Sequence, residues 1–238
     1  PRSRGLGDVY KRQVYTVDLL GCGRSDKSSI TYTNFVYVQM ISDFIKKIIG
    51  QKTDVIASGF SGSFVTMACH NEKELFNKIM LVNPPSLTQL KQMPNRKDRL
   101  LKAALEIPIF GTLVYHMIVS RDNINNLFIE KMYFNPFHVD NQMADAYYEA
   151  AHKGGYYTRF LYSSLAAKYI NINICHALKA LDNSIYIVEG ETEPNGKAVT
   201  DDYCASNPAI EVSVLKETKH LPHVEAPEAF LEQVKIFF

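Results

Sequence analysis

Three serines fall within six residues of the stretch DVIASGFSGSFVTMAC: Ser58, Ser61 and Ser63. A serine hydroxyl becomes a nucleophile when a base takes its proton and the backbone presents it openly. At a sharp strand-to-helix turn the positions two before and two after the nucleophile must be small, because strand and helix approach closely there. Ser58 has Ile56 and Phe60 at those offsets, and Ser63 has Val65 two residues on. Ser61, with Gly59 before it and Ser63 after it, alone satisfies the rule. It would project from the C-terminal end of a strand, and the Gly62 N–H at the start of the next helix would face a developing oxyanion. The competing reading is an ordinary turn whose serines cap a helix. G-x-S-x-S is a weak motif until its strand–turn–helix setting is established.

A hydroxyl nucleophile needs a base, and the base needs an orienting acid. His220 lies in KETKHLPHVEAPEAF, just past the apolar run AIEVSVL, at the sheet edge where Ser61 would stand. His223 reads as a structural neighbour entering a helix. His70, His116, His138, His152 and His176 fall in helical segments, where surface or core roles are commoner. The acid is expected after SIYIVEG, where VEGETEP offers Glu189, Glu191 and Glu193. Glu189 ends the strand and Glu191 follows Gly190 at the turn. Glu193, just before Pro194, is best placed to reach His220, with Asp201 and Asp202 as fallbacks. Any of these carboxylates could equally be a solvated loop residue.

The elements that would position these groups alternate in type. VYTVDLL from Val14, DVIAS from Asp54, IMLVN from Ile79, SIYIVEG from Ser184 and AIEVSVL from Ala209 are short apolar, β-branched runs that read as buried strands. The first closes on the Gly-rich turn GCGRSD. Helical spacing joins Phe35, Val38, Ile41, Ile45, Ile48 and Ile49, with Gly50 as the stop, and FVTMACHNEKELFNK reads as a second helix. APEAFLEQVKIFF closes the chain as an amphipathic helix. Alternation of this kind predicts an α/β fold, a mostly parallel sheet flanked by helices. Residues 14–85 and 184–238 form its core. The interval 86–183, rich in Tyr, Phe, Leu and Met, predicts an all-helical cap.

Bulk properties exclude several classes. The 238 residues, 46% hydrophobic, suffice for one domain with a sizeable core. Residues 1–13, PRSRGLGDVYKRQ, match no element pattern; DVYKRQ looks like translated transposase-adaptor sequence, and the tail is set aside as non-native. Without it the formal charge changes from +1 to −2, with 22 basic against 24 acidic residues, so nothing points to nucleic acid. Cys22, Cys69, Cys175 and Cys204 are scattered without a CxxC pair, which argues against a zinc site or disulfide framework and suits a cytoplasmic setting. The apolar stretch from Ile107 is too short to span a bilayer, so no stable membrane insertion is expected. GCGRSD is no nucleotide loop, because Asp26 stands where G-x-G-x-x-G ends.

In chain order, DLLGCGRSD, SGFSGSF and KHLPHVEAPEAF resemble the α/β-hydrolase superfamily. The first is similar to that family's D-x-x-G-x-G-x-S turn, the last to its G-H-x-x-H-x-E-x-P segment, and the likeness runs from Val14 to Phe238. The resemblance implies Ser61 as nucleophile, Glu193 as acid and His220 as base, with the cap between the first two. Three departures stand out: Ser63 replaces the second elbow glycine and should crowd the helix slightly, Lys219 replaces the glycine before the histidine, and Glu replaces the commoner Asp. The family also has strands ahead of Val14, one of which carries an oxyanion-hole N–H. The resemblance therefore implies a fragment, its sheet gapped or left with an unpaired edge next to DVIAS. Loss of one oxyanion donor would cost on the order of 10²–10³ in turnover, so the chain as written is expected to be poorly active.

The chemistry expected is acyl transfer from an ester-like substrate, with no cofactor and no metal. LLKAALEIPIFGTLVYHMIV and AYYEAAHKGGYYTRFLYSSL would line an apolar, Tyr-rich pocket for an uncharged, partly lipophilic small molecule. Those aromatics could equally be the cap's own core. Two alternatives remain open: the same fold with peptidase, C–C hydrolase or perhydrolase chemistry, and a hydrolase-like protein that binds a ligand without turnover.

Overall fold

Residues 13–238 are described by a computed structural model, and the tail set aside at 1–13 lies almost wholly outside them. Four of the five expected apolar runs are strands: β1 (Thr53–Ser58), β2 (Phe76–Val82), β3 (Ile185–Gly190) and β4 (Glu211–Leu215). They form one parallel sheet in the order β1-β2-β3-β4. β3 is buried along its whole length, which is why Ile185–Val188 is a continuous apolar run. Side chains alternate between two cores, as the period of a strand requires. Ile79, Leu81, Ile185 and Ile187 face a core with Tyr37, Phe64 and Leu178; Met80, Val82, Tyr186 and Val188 face one with Leu215 and Phe230.

Helices cover both faces and fill the long interval. α1 (Asn34–Phe44) and α2 (Ser61–Asn71) precede α3 (Leu87–Leu90), α4 (Arg96–Glu106), α5 (Phe110–Ile118), α6 (Arg121–Leu127), α7 (Asn141–His152), α8 (Thr158–Ala166) and α9 (Cys175–Ala180). α10 (Gly196–Ser206), α11 (Pro222–Glu225) and α12 (Pro227–Phe237) follow. Everything regular between β2 and β3 is helical, as the composition of 86–183 predicts. Part of this insertion packs on itself, with Ile124, Phe128, Tyr133 and Ala144 joined by Leu221 from the far end of the chain. Among the described residues no single helix is long and apolar enough to cross a membrane.

Three expectations about local structure are corrected. VYTVDLL is not a strand: Val14–Leu20 has no ladder partner, and Val14, Tyr15 and Val17 are exposed. Among the described residues nothing pairs with the outer edge of β1, and a β-prone run without a neighbour cannot satisfy its backbone by pairing. Tyr15 meets Phe44 edge-on at 6.3 Å, and at the end of the run Leu19 and Leu20 reach the core and Tyr37 Oη donates to the Leu20 carbonyl at 3.1 Å. The second helix ends earlier than its sequence suggests. α2 stops at Asn71, and Phe76–Lys78 belong to β2, where Phe76 is fully buried. The first helix ends in a π-helical turn over Ile45–Ile49 capped by left-handed Gly50, and Phe35 and Ile48 of its apolar set face outward.

Register decides where chemistry can occur. Ser58 is level with Val82, Val82 with Val188, and Gly190 with Leu215. The loops after β1, β3 and β4 therefore leave the same edge of the sheet, the carboxyl edge at which open α/β sheets bind ligands.

Candidate active site

After Ser58 the chain turns through Gly59, whose φ of 58° is left-handed. That backbone is open to glycine and costs other residues about 1–2 kcal/mol. The left-handed position of the turn is thus Gly59, where glycine meets it without strain, while Phe60 is already helical and Ser61 opens α2. Gly62 meets the sheet closely: a Cβ there would stand 3.1 Å from Leu81 Cδ2. Ser63 is fully buried, and its hydroxyl donates to the Phe60 carbonyl at 2.7 Å, so a polar side chain is accommodated against the helix. Ser61 is half-buried and its hydroxyl donates to the Ser58 carbonyl at 2.7 Å. The Gly62 N–H, expected to be free, donates to the Gly59 carbonyl at 3.1 Å.

The loop after β3 folds back at once, with the Glu193 N–H on the Gly190 carbonyl at 3.0 Å. It is fastened to the loop after β4, where the Thr192 N–H and hydroxyl both donate to the Thr218 carbonyl, at 3.0 and 2.9 Å. This brings Glu193 Oε1 within 3.0 Å of His220 Nδ1. Among the described residues Glu193 Oε2 is buried without a hydrogen-bond partner, and the imidazole is the one side chain bonded to this carboxylate. An ionised carboxylate only accepts, so it holds the proton on Nδ1 and leaves the Nε2 lone pair available as a base. The His220 backbone is fixed as well: its N–H donates to the Met132 carbonyl at 3.1 Å and its carbonyl accepts from Asn83.

Among the described residues no other carboxylate bonds to the His220 ring. Glu191 is exposed and accepts the Glu217 N–H at 2.9 Å. Asp201 and Asp202 lie on the exposed face of α10. Glu189 is buried beside the first residue of α10, and burial pushes its carboxyl above the usual range, opposed by a hydrogen bond with Thr200. Of the three glutamates in VEGETEP, only Glu193 meets the histidine.

Gly59, Phe60, Glu193 and His220 border one cavity of about 360 Å³, together with Asn83, Glu189 and the start of α10. Gly59 and Phe60, the two residues ahead of Ser61, therefore share this lining with the Glu193–His220 pair, while Ser61 itself is not among the lining residues. Among the described residues no hydrogen bond joins Ser61 to His220; contacts of this kind commonly tighten only with substrate in place. The lining differs from the expected one. Pro108, Ile109, Leu113 and Tyr156, from the two segments thought to form the substrate pocket, border a separate apolar hollow of about 400 Å³ that shares no residue with the first. These segments pack on one another, as when Tyr115 Oη donates to the Ala151 carbonyl at 2.8 Å.

His223, on α11, is a neighbour and not a member of the pair. Its ring packs 5.8 Å from Phe230 and its Nδ1 is buried without a hydrogen-bond partner among the described residues. Burial, and next the charge of His220, push its imidazole below the ordinary range. An unfolded chain then binds a proton that the folded chain refuses, so stability is lost as pH falls below about 6.5. His223→Gln is expected to flatten that loss. Urea midpoints at about pH 7 and pH 5.5 check it, and an unchanged slope in the variant would remove His223 as the cause.

The sequence matches the model of a family described as "Alpha/beta hydrolase family" over residues 3–233. No curated protein matches it. Solved structures with the same fold include one of the carboxylesterases of the thaumarchaeon Nitrososphaera gargenis, 15% identical, TM-score 0.65, covering 92% of this chain and 77% of that one. A 2-hydroxy-6-oxo-6-phenylhexa-2,4-dienoate hydrolase from Rhodococcus sp. strain RHA1 is 16% identical with TM-score 0.70, covering 93% of this chain and 78% of the other. A bromoperoxidase from Bacillus anthracis is 11% identical with TM-score 0.70, over 92% and 79%.

Proposed function

Since the chain belongs to the alpha/beta hydrolase family, we propose that it cleaves an ester-like acyl substrate with Ser61 as nucleophile, His220 as base and Glu193 as orienting acid. The observation that carries this reading is the 3.0 Å contact between His220 Nδ1 and Glu193 Oε1. It lies on the cavity that the Gly59–Phe60 turn also borders. His220 Nε2 takes the Ser61 proton as Oγ attacks the acyl carbon. The leaving alcohol departs with that proton, and water deprotonated by the same imidazole then releases the acid and restores Ser61. The Gly62 N–H serves the oxyanion by exchanging its 3.1 Å bond to Gly59 for one to substrate. The helical insertion 86–183 acts as the cap, and the four free thiols suit a reducing, cytoplasmic setting.

A fluorophosphonate reports an activated hydroxyl without needing turnover. We expect one adduct, on the peptide that contains Ser61, mapped by mass spectrometry after proteolysis. An adduct on Ser58 or Ser63 would overturn the assignment of the nucleophile. No adduct on folded protein would favour a ligand-binding role over hydrolysis.

A further inference from the structure

Asn83, the residue after β2, has left-handed backbone with φ 41° and is 5% exposed. Its N–H donates to the Val188 carbonyl at 3.0 Å, continuing the ladder to β3. Its side chain is spent on three further backbone groups. Nδ2 donates to the carbonyls of Lys219 and His220, at 2.8 and 2.9 Å, and Oδ1 accepts the Gly190 N–H at 3.0 Å. One carboxamide therefore ties the root of the loop bearing Glu193 to the residue that supplies the imidazole. Both amide hydrogens are used, so no donor is left for a ligand in the cavity that Asn83 borders. The two loops already touch at this point, because a Cβ on Gly190 would lie 1.9 Å from the Lys219 carbonyl oxygen.

We propose that Asn83 is a positioning residue, which sets the distance between Glu193 and His220 by clamping both of their loops to the end of β2. The proposal rests on the reading of His220 as the base. Asparagine suits the role for two reasons: it tolerates left-handed backbone, and it alone among side chains of this length offers two donors and an acceptor on one planar group.

Asn83→Asp keeps the shape, the backbone tolerance and the acceptor for Gly190, but turns lone pairs toward both carbonyls. For p-nitrophenyl ester hydrolysis we expect kcat to fall about 10- to 100-fold with KM changed less than about twofold, the size of effect that a displacement near 1 Å produces. The downfield NMR signal of the His220 ring N–H should broaden or move in the same variant, and that signal needs no turnover. If Asn83→Asp prevents folding, Asn83→Ser, neutral and with one donor left, should give the same changes at smaller amplitude. A folded variant with unchanged kcat and an unchanged ring signal overturns the proposal, as does a fall carried by KM alone. Failure of the underlying reading looks different: His220→Ala would then hydrolyse the ester as fast as the parent.

Discussion

Ser61→Ala is expected to lower ester hydrolysis by on the order of 10⁴-fold or more, and to abolish fluorophosphonate labelling. The methyl group cannot attack, and the change leaves β1, Gly59 and the packing of Gly62 on Leu81 untouched, so the variant should melt with the parent. Ser58→Ala and Ser63→Ala should stay within a few-fold of it, because the Ser63 hydroxyl is turned to the Phe60 carbonyl inside the protein. Combining Ser61→Ala with His220→Ala should cost little more than either alone, since nucleophile and base act as a unit. Steady-state rates on a p-nitrophenyl ester with all of these proteins decide the matter. A Ser61→Ala enzyme within tenfold of the parent would refute the nucleophile.

Glu193→Gln is expected to cost on the order of 10³-fold or more in kcat with little change in KM. Among the described residues this carboxylate is the one acceptor on the His220 ring, and its second oxygen is buried without a partner, so no other anion is left to hold the imidazole N–H once the charge is removed. A carboxamide can also present N–H to Nδ1, which favours the tautomer with its proton on the wrong nitrogen. Glu193→Asp keeps the charge one methylene too short and should fall between the parent and Glu193→Gln. A Glu193→Gln protein at near-parental rate would refute Glu193 as the orienting acid.

Which parts of this architecture are legible in the chain follows from where the information is local. IMLVN and SIYIVEG announce strands because burial on both faces forces apolar runs, while DVIAS and AIEVSVL, partly exposed at the two sides of the sheet, are signalled by their β-branched residues; each is found within a few residues of its expected place. VYTVDLL has the same composition and fails, because strand formation also needs a partner, which no local pattern reports. The small neighbours of Ser61 single it out, yet they do not reveal that the Gly62 N–H closes back on Gly59. Glu193 is distinguishable from Glu189 and Glu191 by its distance from the strand end. Asn83 escapes sequence reading because its partners are 107 to 137 residues away; the one local hint is an asparagine closing a strand ahead of Pro84-Pro85, a turn signal.

Glu225 receives the N–H of Lys219 on one oxygen, at 2.7 Å, and that of Phe134 on the other, at 2.6 Å. Lys219 Nζ reaches the Glu130 carbonyl at 2.5 Å, and the His220 N–H rests on Met132. The lysine that stands where a glycine is usual thus has an occupation of its own. At this end the helical insertion cannot swing as a hinged flap, since any displacement of residues 130–134 would drag the imidazole with it.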